Sequence, residues 1–394
     1  MYFPSIIPPV SVWLLFGAFL CVALLAAIYF WRVRSVVQYR RRSDAERADK
    51  PDSEYLPVSV IIYSQGEAEN LTELLEAVLG QDYPVAFEVI VVNDGESADV
   101  RDAVSYLRAT HPNLYLTFAP EGVVNLSRKK LALTLGIKAA RYDIVVLTTT
   151  AAIIRSQFWL RRMMSRFDKE GRTEVVLGFT MVDPDEDDRF GKRRRAFDFV
   201  ADSVRWLGVA IAGKPFRGTE YNIAYRKEAF MRNKGFAHTL NLHYGDDDIF
   251  VSEIAGRDNT EVEMSEDSLV RLRHGNHPRL FMERTLRRLF TEGFIRRRPR
   301  LLMPLTGWLQ ILALVAGVAA AVIAWPAVQP SLIALALVLG MMALDIWVWR
   351  NAMKALKSRV LLLTIPWFSI TLPLRGISRR LRAKFGKQKK YTWD

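Results

Sequence analysis

Two long apolar stretches, one near each end of the chain, limit its fold more than any other feature. Residues 1–31 contain no charged side chain, and residues 10–31 alone are long enough to cross the hydrocarbon core of a bilayer. Five arginines follow at once: Arg32, Arg34, Arg40, Arg41 and Arg42. Because basic residues mark the cytoplasmic side of a membrane helix, we expect one spanning helix whose carboxyl end lies in the cytoplasm. A cleaved signal peptide is not predicted, because it would have a basic start and a shorter apolar run.

The second apolar region follows a basic run that again indicates a cytoplasmic edge: Arg296, Arg297, Arg298 and Arg300. Residues 301–325 and 332–349 are predicted to be two further spans joined by a short outer turn. Residues 360–374 are also apolar, but Pro366 and Pro373 interrupt them, so we expect a re-entrant or interfacial segment. The basic tail after it is predicted to lie at the anionic cytoplasmic leaflet, or else only to solvate a helix end.

The predicted organisation has three parts: a transmembrane anchor with a basic linker (residues 1–50), a globular domain (51–300) and a C-terminal membrane region with a basic tail (301–394). Lysine and arginine number 55 against 42 acidic residues, which gives a net charge of +13. This excess is concentrated beside the apolar segments, where membrane topology explains it, so we expect no nucleic-acid partner. The single cysteine, Cys21, excludes an intrachain disulfide and a cysteine-built zinc site.

The middle of the chain alternates between β-rich runs and segments with apolar residues at helical spacing. The predicted order is strand 58–63, helix 70–79, strand 87–92, strand 114–118, helix 126–140, strand 143–147 and helix 158–167. This alternation predicts an α/β domain with a mostly parallel sheet, and ligands bind such sheets at the carboxyl ends of the strands. Attention therefore falls on Asn93, Asp94, Gly95 and on residues 148–152. The acidic cluster at 183–188 is predicted to be a loop.

Several segments, in this order, carry a family resemblance: VSVIIYSQGEAENLTELLEAVLGQDYP, FEVIVVNDGESAD, RKKLALTLGIKAARYDIVVL, GTEYNIAYRKEAF and YGDDDIFVSEI. Together they resemble the family-2 glycosyltransferases over residues 57–288. The resemblance implies a GT-A fold, which is Rossmann-like, and the transfer of a sugar from a nucleotide donor with inversion. By the same resemblance, Asn93, Asp94, Glu67 and Lys129 belong to the donor nucleotide site. An Asn-Asp-Gly element at a strand end is, taken alone, more typical of a turn.

The chain departs from the family pattern at two motifs. Thr150 and Ala152 stand at the positions of the metal-binding Asp-x-Asp, with Trp159 in register after them. A hydroxyl and a methyl group do not replace carboxylate ligands, so the cofactor stays unknown, with Mg²⁺ or Mn²⁺ as open alternatives. The Gln-x-x-Arg-Trp motif of processive members is also absent. Three arginines stand in its place: Arg284, Arg287 and Arg288.

The family's general base corresponds to an acidic cluster that precedes a predicted helix at 249–255. We assign Asp247 as the base by resemblance, with Asp246 as the second candidate. Adjacent carboxylates are expected to raise one another's pKa, which suits a group that accepts a proton. The alternative is that these residues cap the helix and complement its dipole.

Without the metal motif, basic side chains are candidates for the charge that opposes the departing diphosphate. These candidates are Lys129, Lys130, Arg155, Arg284, Arg287 and Arg288. For the last three the alternative is an interfacial helix with apolar residues on one side and arginines on the other.

Two hypotheses follow. The first is an active membrane-bound glycosyltransferase, at the cytoplasmic face of a bacterial inner membrane, with a nucleotide-sugar donor, a lipid-linked or glycan acceptor and membrane lipids as partners. A non-processive enzyme is favoured, because the acceptor-holding motif of polymer synthases is missing. The second is a catalytically degenerate glycosyltransferase-like protein that binds a nucleotide or serves as a subunit of a protein partner. Thr150, Ala152 and the missing Gln-x-x-Arg-Trp motif support this alternative.

Overall fold

The computed structural model describes residues 9–46, 50–95, 97–119, 126–182, 189–295, 303–325 and 327–385. Its contacts divide the chain into two compact units. The helical unit comprises residues 1–38, 186–208 and 300–381, and the sheet unit comprises residues 39–185, 209–299 and 382–394. The predicted acidic loop at 183–188 and the basic run at 296–300 lie outside the described residues. The three predicted domains stay a prediction.

The strands of the sheet unit are short. In chain order they are β1 (Val58–Ser64), β2 (Phe87–Asn93), β3 (Leu114–Phe118), β4 (Ile144–Thr149), β5 (Ala152–Ile154), β6 (Val175–Gly178), β7 (Thr180–Val182), β8 (Ile223–Arg226), β9 (Thr260–Glu263) and β10 (Val270–Leu272). The four strands predicted from the sequence are β1 to β4. The six short strands from β5 onward were not predicted.

The α-helices are α1 (Pro9–Ile28), α2 (Arg34–Ala45), α3 (Ala68–Leu79), α4 (Ala98–Arg108), α5 (Arg128–Ala139), α6 (Trp159–Ser165), α7 (Phe190–Ile211), α8 (Lys227–Arg232), α9 (Asp248–Ile254), α10 (Pro278–Thr291), α11 (Met303–Ile323), α12 (Val328–Ala355) and α13 (Ile365–Phe385). A five-residue π-helical segment joins α1 to α2. The predicted helices at 70–79, 126–140, 158–167 and 249–255 correspond to α3, α5, α6 and α9. Helices α2, α4, α7 and α8 were not predicted.

The larger sheet has seven strands in the order β3-β2-β1-β4-β8-β6-β9. Strands β3, β2, β1 and β4 are parallel, and β8 is antiparallel to both β4 and β6. All seven residues of β1 are buried, as expected for a central strand covered on both faces. The strand order reverses between β1 and β4, and in α/β sheets the ligand crevice forms at such a reversal.

Helices pack on this sheet through their apolar faces, which contact the apolar side chains of the strands. Leu71, Leu75 and Val78 of α3 join one core with Val60 of β1. On α5, Gly136 lies against the sheet, where an added Cβ would come within 2.8 Å of the Val92 side chain. The close approach of α5 therefore requires glycine, and it fixes the first turn of α5 near the strand ends.

The smaller sheet has the order β5-β10-β7 and is tied to the larger one through Asn222. The Asn222 amide donates to the carbonyl oxygens of Phe179 at 3.0 Å and Ser268 at 2.8 Å. Its carbonyl oxygen accepts a hydrogen bond from Nε1 of Trp159 at 3.0 Å. Residue 178 is glycine because an added Cβ would lie 2.3 Å from Cγ of Asn222.

The helical unit contains α1, α11 and α12, which pack against one another. Within the described residues, three helices are long and apolar enough to cross a membrane: Pro9–Ala45, Leu305–Ile323 and Val328–Ala355. They correspond to the three predicted spans. Helix α13, which contains Pro373, is not among them, and the re-entrant or interfacial character of residues 360–374 stays a prediction.

A buried polar cluster joins the helices of this unit. The Asp345 carboxylate accepts hydrogen bonds from the Tyr29 hydroxyl at 2.7 Å and from the Gln310 amide at 2.6 Å. Ser369 on α13 donates to the Gln310 carbonyl oxygen at 3.1 Å. Each group therefore has a partner, as a buried carboxylate requires.

Part of the basic C-terminal region also has a structural partner within the helical unit. Arg375 contacts the buried carboxylate of Asp198 at 2.6 Å, and Arg379 binds its other oxygen. These two arginines hold α13 against α7, so neither of the two predicted roles of the tail describes them fully.

We predict that Asn222→Ala destabilises the sheet unit by on the order of 3 kcal/mol, because two buried carbonyl groups and the Trp159 indole lose their partner. The measurement is denaturant unfolding of the full chain in detergent, followed by tryptophan fluorescence. Asn241→Ala, at an exposed asparagine, is the matched control. Equal unfolding midpoints for the two variants would contradict the role of Asn222.

Candidate functional site

The ends of three parallel strands meet at the reversal of the sheet. The Asp94 backbone N–H donates to the Ser64 carbonyl oxygen at 2.8 Å, which joins the ends of β2 and β1. The Thr150 hydroxyl donates to the Glu67 carboxylate at 2.8 Å, which joins the ends of β4 and β1. Glu67, Asp94 and Thr150 therefore lie at one edge, as the sequence predicted for strand-end residues.

Asp94 is buried and has a partner on each carboxylate oxygen. The Tyr63 hydroxyl donates to Oδ2 at 2.6 Å, and the Arg128 guanidinium lies 2.8 Å from Oδ1. Burial and the bond to Asp94 raise the pKa of the Tyr63 hydroxyl, which therefore stays a donor. Asn93 is buried beside it and donates to the Ser97 carbonyl oxygen at 3.0 Å. These bonds fix the orientation of the Asp94 carboxylate.

Two buried carboxylates and two partly buried cations form a group next to Asp94 and Tyr63. Lys129 binds the carboxylate of Glu220 and lies 2.6 Å from Oδ2 of Asp246. The Arg287 guanidinium donates to both oxygens of Glu220, at 2.9 and 3.1 Å, and lies 3.6 Å from Oδ1 of Asp246. Lys129, Glu220, Asp246 and Arg287 are called the charge tetrad below.

The tetrad sets the protonation of its members. Burial alone would raise the pKa of the Asp246 carboxyl, but the charges of Lys129 and Arg287 outweigh burial and lower the pKa to about 2. Burial lowers the pKa of the Lys129 ammonium, and the Asp246 charge opposes this effect. The expectation that neighbouring carboxylates raise the pKa of Asp246 is therefore wrong. A carboxylate with this pKa is a weak base, which favours Asp247 for the catalytic role.

A pocket lies beside the tetrad and brings together two regions that were predicted separately. Asp247 lines it, as do Glu220, Thr219 and four arginines: Arg217, Arg284, Arg287 and Arg288. The acidic cluster and the arginines that replace Gln-x-x-Arg-Trp thus face one cavity of the sheet unit. Arg287 is held inside this unit by Glu220, so the alternative of a purely interfacial face does not describe it.

The three consecutive aspartates have different environments. Asp247 caps α9 by accepting the Asp248 backbone N–H at 2.9 Å, and it remains half-buried at the pocket. Asp248 is buried and accepts a hydrogen bond from the Thr291 hydroxyl. Burial, followed by the neighbouring charge of Asp247, raises the pKa of Asp248 to about 6. Capping and exposure to the pocket thus occur together at Asp247.

Two of the predicted counter-charges lie elsewhere. Lys130 is fully buried, and its ammonium donates to the carbonyl oxygens of Thr239 at 2.6 Å and Tyr244 at 2.9 Å. Its interpretation as a diphosphate contact is wrong, because it holds the segment that leads to Asp246. Arg155 is exposed after β5 and does not line the pocket.

The positions of the family's metal motif do not fit a metal. Ala152 is fully buried in the hydrophobic core, and the Thr150 hydroxyl donates to Glu67. Across the described part of the chain, no cluster of three His, Cys, Asp or Glu side chains has a metal-binding arrangement. Divalent cations prefer several carboxylate or carbonyl oxygens, which these positions do not supply.

Sequence reasoning missed several residues of the site, among them Tyr63, Arg128, Thr219 and Glu220. One signal could have indicated them. Arg128, Lys129 and Lys130 form the first turn of α5, where positive charges oppose the helix dipole. Three cations at this end require acceptors from elsewhere in the fold, and each has them here. Glu220 lies in the segment GTEYNIAYRKEAF, which carries part of the family resemblance, but nothing in the sequence assigned it a role.

Comparison with known proteins identifies the family. The sequence model of glycosyl transferase family 21 matches residues 18–378. The chain belongs to glycosyl transferase family 21. The match confirms the prediction that the protein is a glycosyltransferase. The family is family 21, whereas the motifs had indicated family 2. No curated protein matches the chain.

Two solved structures are similar to this chain, and the first of them, with the higher TM-score, shares its fold. A mannosyltransferase from Pyrobaculum calidifontis, PcManGT, solved in complex with GDP-Man and Mn²⁺, has a TM-score of 0.55 and 20% identity. The match covers 94% of this chain and 100% of that one. Glucosyl-3-phosphoglycerate synthase from Mycobacterium tuberculosis, in complex with Mn²⁺, UDP-glucose and phosphoglyceric acid, has a TM-score of 0.39 and 15% identity over 66% of this chain and 84% of that one.

The raised pKa of Asp248 predicts a pH-dependent stability. Because the folded pKa of about 6 lies above the usual value near 3.8, the stabilising contribution of Asp248 is complete below pH 3.8 and is lost as the pH rises through 6. We expect Asp248→Asn, which keeps an acceptor for Thr291, to gain up to about 3 kcal/mol relative to the wild type between pH 4 and pH 7.

Thermal unfolding of both proteins in detergent from pH 4 to pH 8 measures this difference. Asp258→Asn, at an exposed aspartate, controls for the loss of one negative charge. A difference between Asp248→Asn and wild type that stays constant over this range would contradict the prediction.

Proposed function

We propose that this protein is a membrane-bound inverting glycosyltransferase that moves a sugar from a nucleotide-sugar donor to a lipid-linked or glycan acceptor. The observation that carries the proposal is the placement of Asp247 at a pocket lined by arginines, next to the strand ends that hold Asp94. This placement combines a base for the acceptor hydroxyl with positive charge for a phosphate leaving group.

Asp94, with Asn93 and Glu67 near it, is assigned to the nucleoside of the donor. Both carboxylate oxygens of Asp94 are held by Tyr63 and Arg128, so its orientation is set before a ligand arrives. Such preorganisation reduces the entropy lost on binding. The structural neighbours bind GDP-Man or UDP-glucose, which supports a nucleotide sugar as donor without selecting the base.

Asp247 is assigned as the general base. In the proposed step it takes the proton of the acceptor hydroxyl, the acceptor oxygen bonds to the anomeric carbon, and the bond from that carbon to the diphosphate oxygen breaks. Asp247 is suited to this role because no ion pair joins it to any other described residue, whereas Asp246 is held by Lys129 and Arg287. A carboxylate engaged by two cations accepts a proton poorly.

The acceptor is proposed to be lipid-linked because apolar spans flank the catalytic domain in sequence. Three helices of the chain are long and apolar enough to cross a bilayer, which supports membrane attachment. The basic residues that follow the first span support a cytoplasmic location of the sheet unit under the positive-inside rule, on the side where nucleotide sugars are made. A bacterial inner membrane is the corresponding compartment.

The second candidate function is a glycosyltransferase-like protein that transfers no sugar. It would bind a nucleotide or act as a subunit of a protein partner. Thr150 and Ala152, which provide no metal ligands, favour it. The retained Asp247 and its pocket favour the active enzyme. The two candidates are distinguished by turnover of the purified wild-type chain.

We predict that UDP or GDP, or one of their sugar conjugates, raises the thermal unfolding temperature of the detergent-purified chain. At a ligand concentration about 100 times Kd the gain is about 3 kcal/mol. Asp94→Ala removes this gain, because the nucleoside loses its carboxylate partner. Asp102→Ala, at an exposed aspartate on α4, is the control and retains the shift. No shift with any nucleotide would overturn the donor assignment.

We also predict that Asp247→Asn lowers sugar transfer by roughly 10²- to 10⁴-fold while nucleotide binding is unchanged. The substrate is the nucleotide sugar that raises the thermal unfolding temperature of the chain. The assay measures release of the nucleoside diphosphate from it in the presence of a bacterial lipid extract. Asp258→Asn serves as the control at an exposed aspartate. Full activity in Asp247→Asn would refute the assignment of the base, and an inactive wild-type chain that still binds nucleotide would favour the second candidate.

A further inference from the structure

We propose that the ammonium of Lys129 and the guanidinium of Arg287 supply the positive charge that opposes the donor diphosphate, in the place of a divalent metal ion. This inference rests on the proposed function, and it assigns to the charge tetrad a role in donor binding and in departure of the leaving group.

The tetrad reproduces the charge of a two-carboxylate metal site. Glu220 and Asp246 carry two negative charges, and Lys129 and Arg287 carry two positive charges between them. A divalent cation held by two aspartates has the same balance. The difference is that the two positive charges are covalently attached to α5 and α10, so they need no ion from solution.

The tetrad lies between the proposed nucleoside site and the proposed base. The Lys129 ammonium is 5.7 Å from the centre of the Tyr63 ring, and the Tyr63 hydroxyl donates to Asp94. At the other side, Arg287 lines the pocket with Asp247. In a donor nucleotide sugar the diphosphate is the group between the nucleoside and the reacting carbon, so it lies beside the tetrad when Asp94 holds the nucleoside.

An unsatisfied hydroxyl in the same pocket independently indicates a ligand. Thr219 is only 5% exposed, and its Oγ1 has no hydrogen-bond partner among the residues that the structure describes. Buried hydroxyl groups normally have a partner. A phosphate oxygen in the pocket would accept this hydrogen bond, next to the guanidinium groups of Arg284 and Arg288.

The metal motif itself argues for a substitute. Ala152 lies in the core with no exposed atoms, and Thr150 uses its hydroxyl on Glu67. In the proposed step the bond between the anomeric carbon and the diphosphate oxygen breaks with both electrons remaining on that oxygen. The negative charge that develops there is opposed by Lys129 and Arg287, while the acceptor proton goes to Asp247.

The test compares the affinities of a nucleoside diphosphate and its nucleoside, measured by titration calorimetry on the full chain in detergent with EDTA. We expect the diphosphate to bind on the order of 100-fold more tightly than the nucleoside, and Mn²⁺ to change its affinity less than about threefold. Arg287→Gln lowers the diphosphate affinity by roughly 10-fold or more and leaves the nucleoside affinity unchanged. Arg279→Gln, at an exposed arginine on the same helix, is the matched control.

Three further variants, Thr219→Val, Arg287→Lys and Arg288→Gln, keep the inference testable if Arg287→Gln does not fold. Thr219→Val removes a hydroxyl that has no described partner, so it leaves folding intact and lowers only the diphosphate affinity, by several-fold. Arg287→Lys keeps the charge and restores part of the diphosphate affinity. Unchanged diphosphate affinity in Thr219→Val and Arg288→Gln would overturn the inference.

The remaining outcomes separate this inference from the proposed function. Diphosphate binding that disappears in EDTA and returns with Mn²⁺ would overturn the inference and leave the glycosyltransferase proposal standing. No binding of any nucleoside diphosphate in either condition would overturn both. If Arg288→Gln weakened binding to phosphatidylglycerol vesicles but not to the diphosphate, the arginines would serve an acidic acceptor, and the inference would also be wrong.

Discussion

The burial of opposite charges in the tetrad is the constraint on which the site depends. A buried charge without a partner costs several kcal/mol, so Lys129, Glu220, Asp246 and Arg287 are stable inside the protein only together. They come from the start of α5, the loop before β8, the residue before the cap of α9, and α10. If any one of these segments lay elsewhere, the three remaining ions would carry one uncompensated charge. The tetrad thus requires the segments that carry the donor site, the proposed base and the pocket arginines to be assembled in one arrangement.

The same constraint explains how three adjacent aspartates acquire different properties. Asp246 lies between two cations and stays ionised far below neutral pH. Asp248 is buried beside Thr291, and burial together with the charge of Asp247 outweighs the opposing charge of Arg217 and raises the pKa of Asp248. Asp247 lies between them in the chain and half-buried at the pocket. For Asp246 the cations from distant segments outweigh burial, whereas for Asp248 burial and the charge of Asp247 determine the direction of the pKa shift. The sequence alone therefore predicted the acidic cluster, but it could not predict which aspartates are ion-paired and which are buried.

The sequence predicted the parallel part of the fold well because that part has strong local signals. Strands β1, β2 and β4 are buried on both faces and appear as continuous apolar runs, and the spans appear as long uncharged stretches. Strands β5, β7 and β10 have three residues each, too few for a period to be recognised. They are specified by contacts such as those of Asn222, whose partners lie 43, 46 and 63 residues away in the chain. In the site, strand-end residues were predictable, but Tyr63, Thr219 and Glu220 acquire their roles only from tertiary contacts.

The replaced metal motif and the tetrad are two parts of one change in how the site holds charge. With threonine at position 150, Glu67 gains a hydrogen-bond donor and remains fixed at the strand ends without a cation. With alanine at position 152, the start of β5 packs into the core and continues into the small sheet. We infer that positive charge then comes from side chains, and the first turn of α5 provides part of it despite the unfavourable helix dipole. Side-chain cations have fixed positions and limited reach, whereas a metal ion is exchangeable. A site built this way therefore depends on the packing of α5 and α10 rather than on the metal supply of the cell.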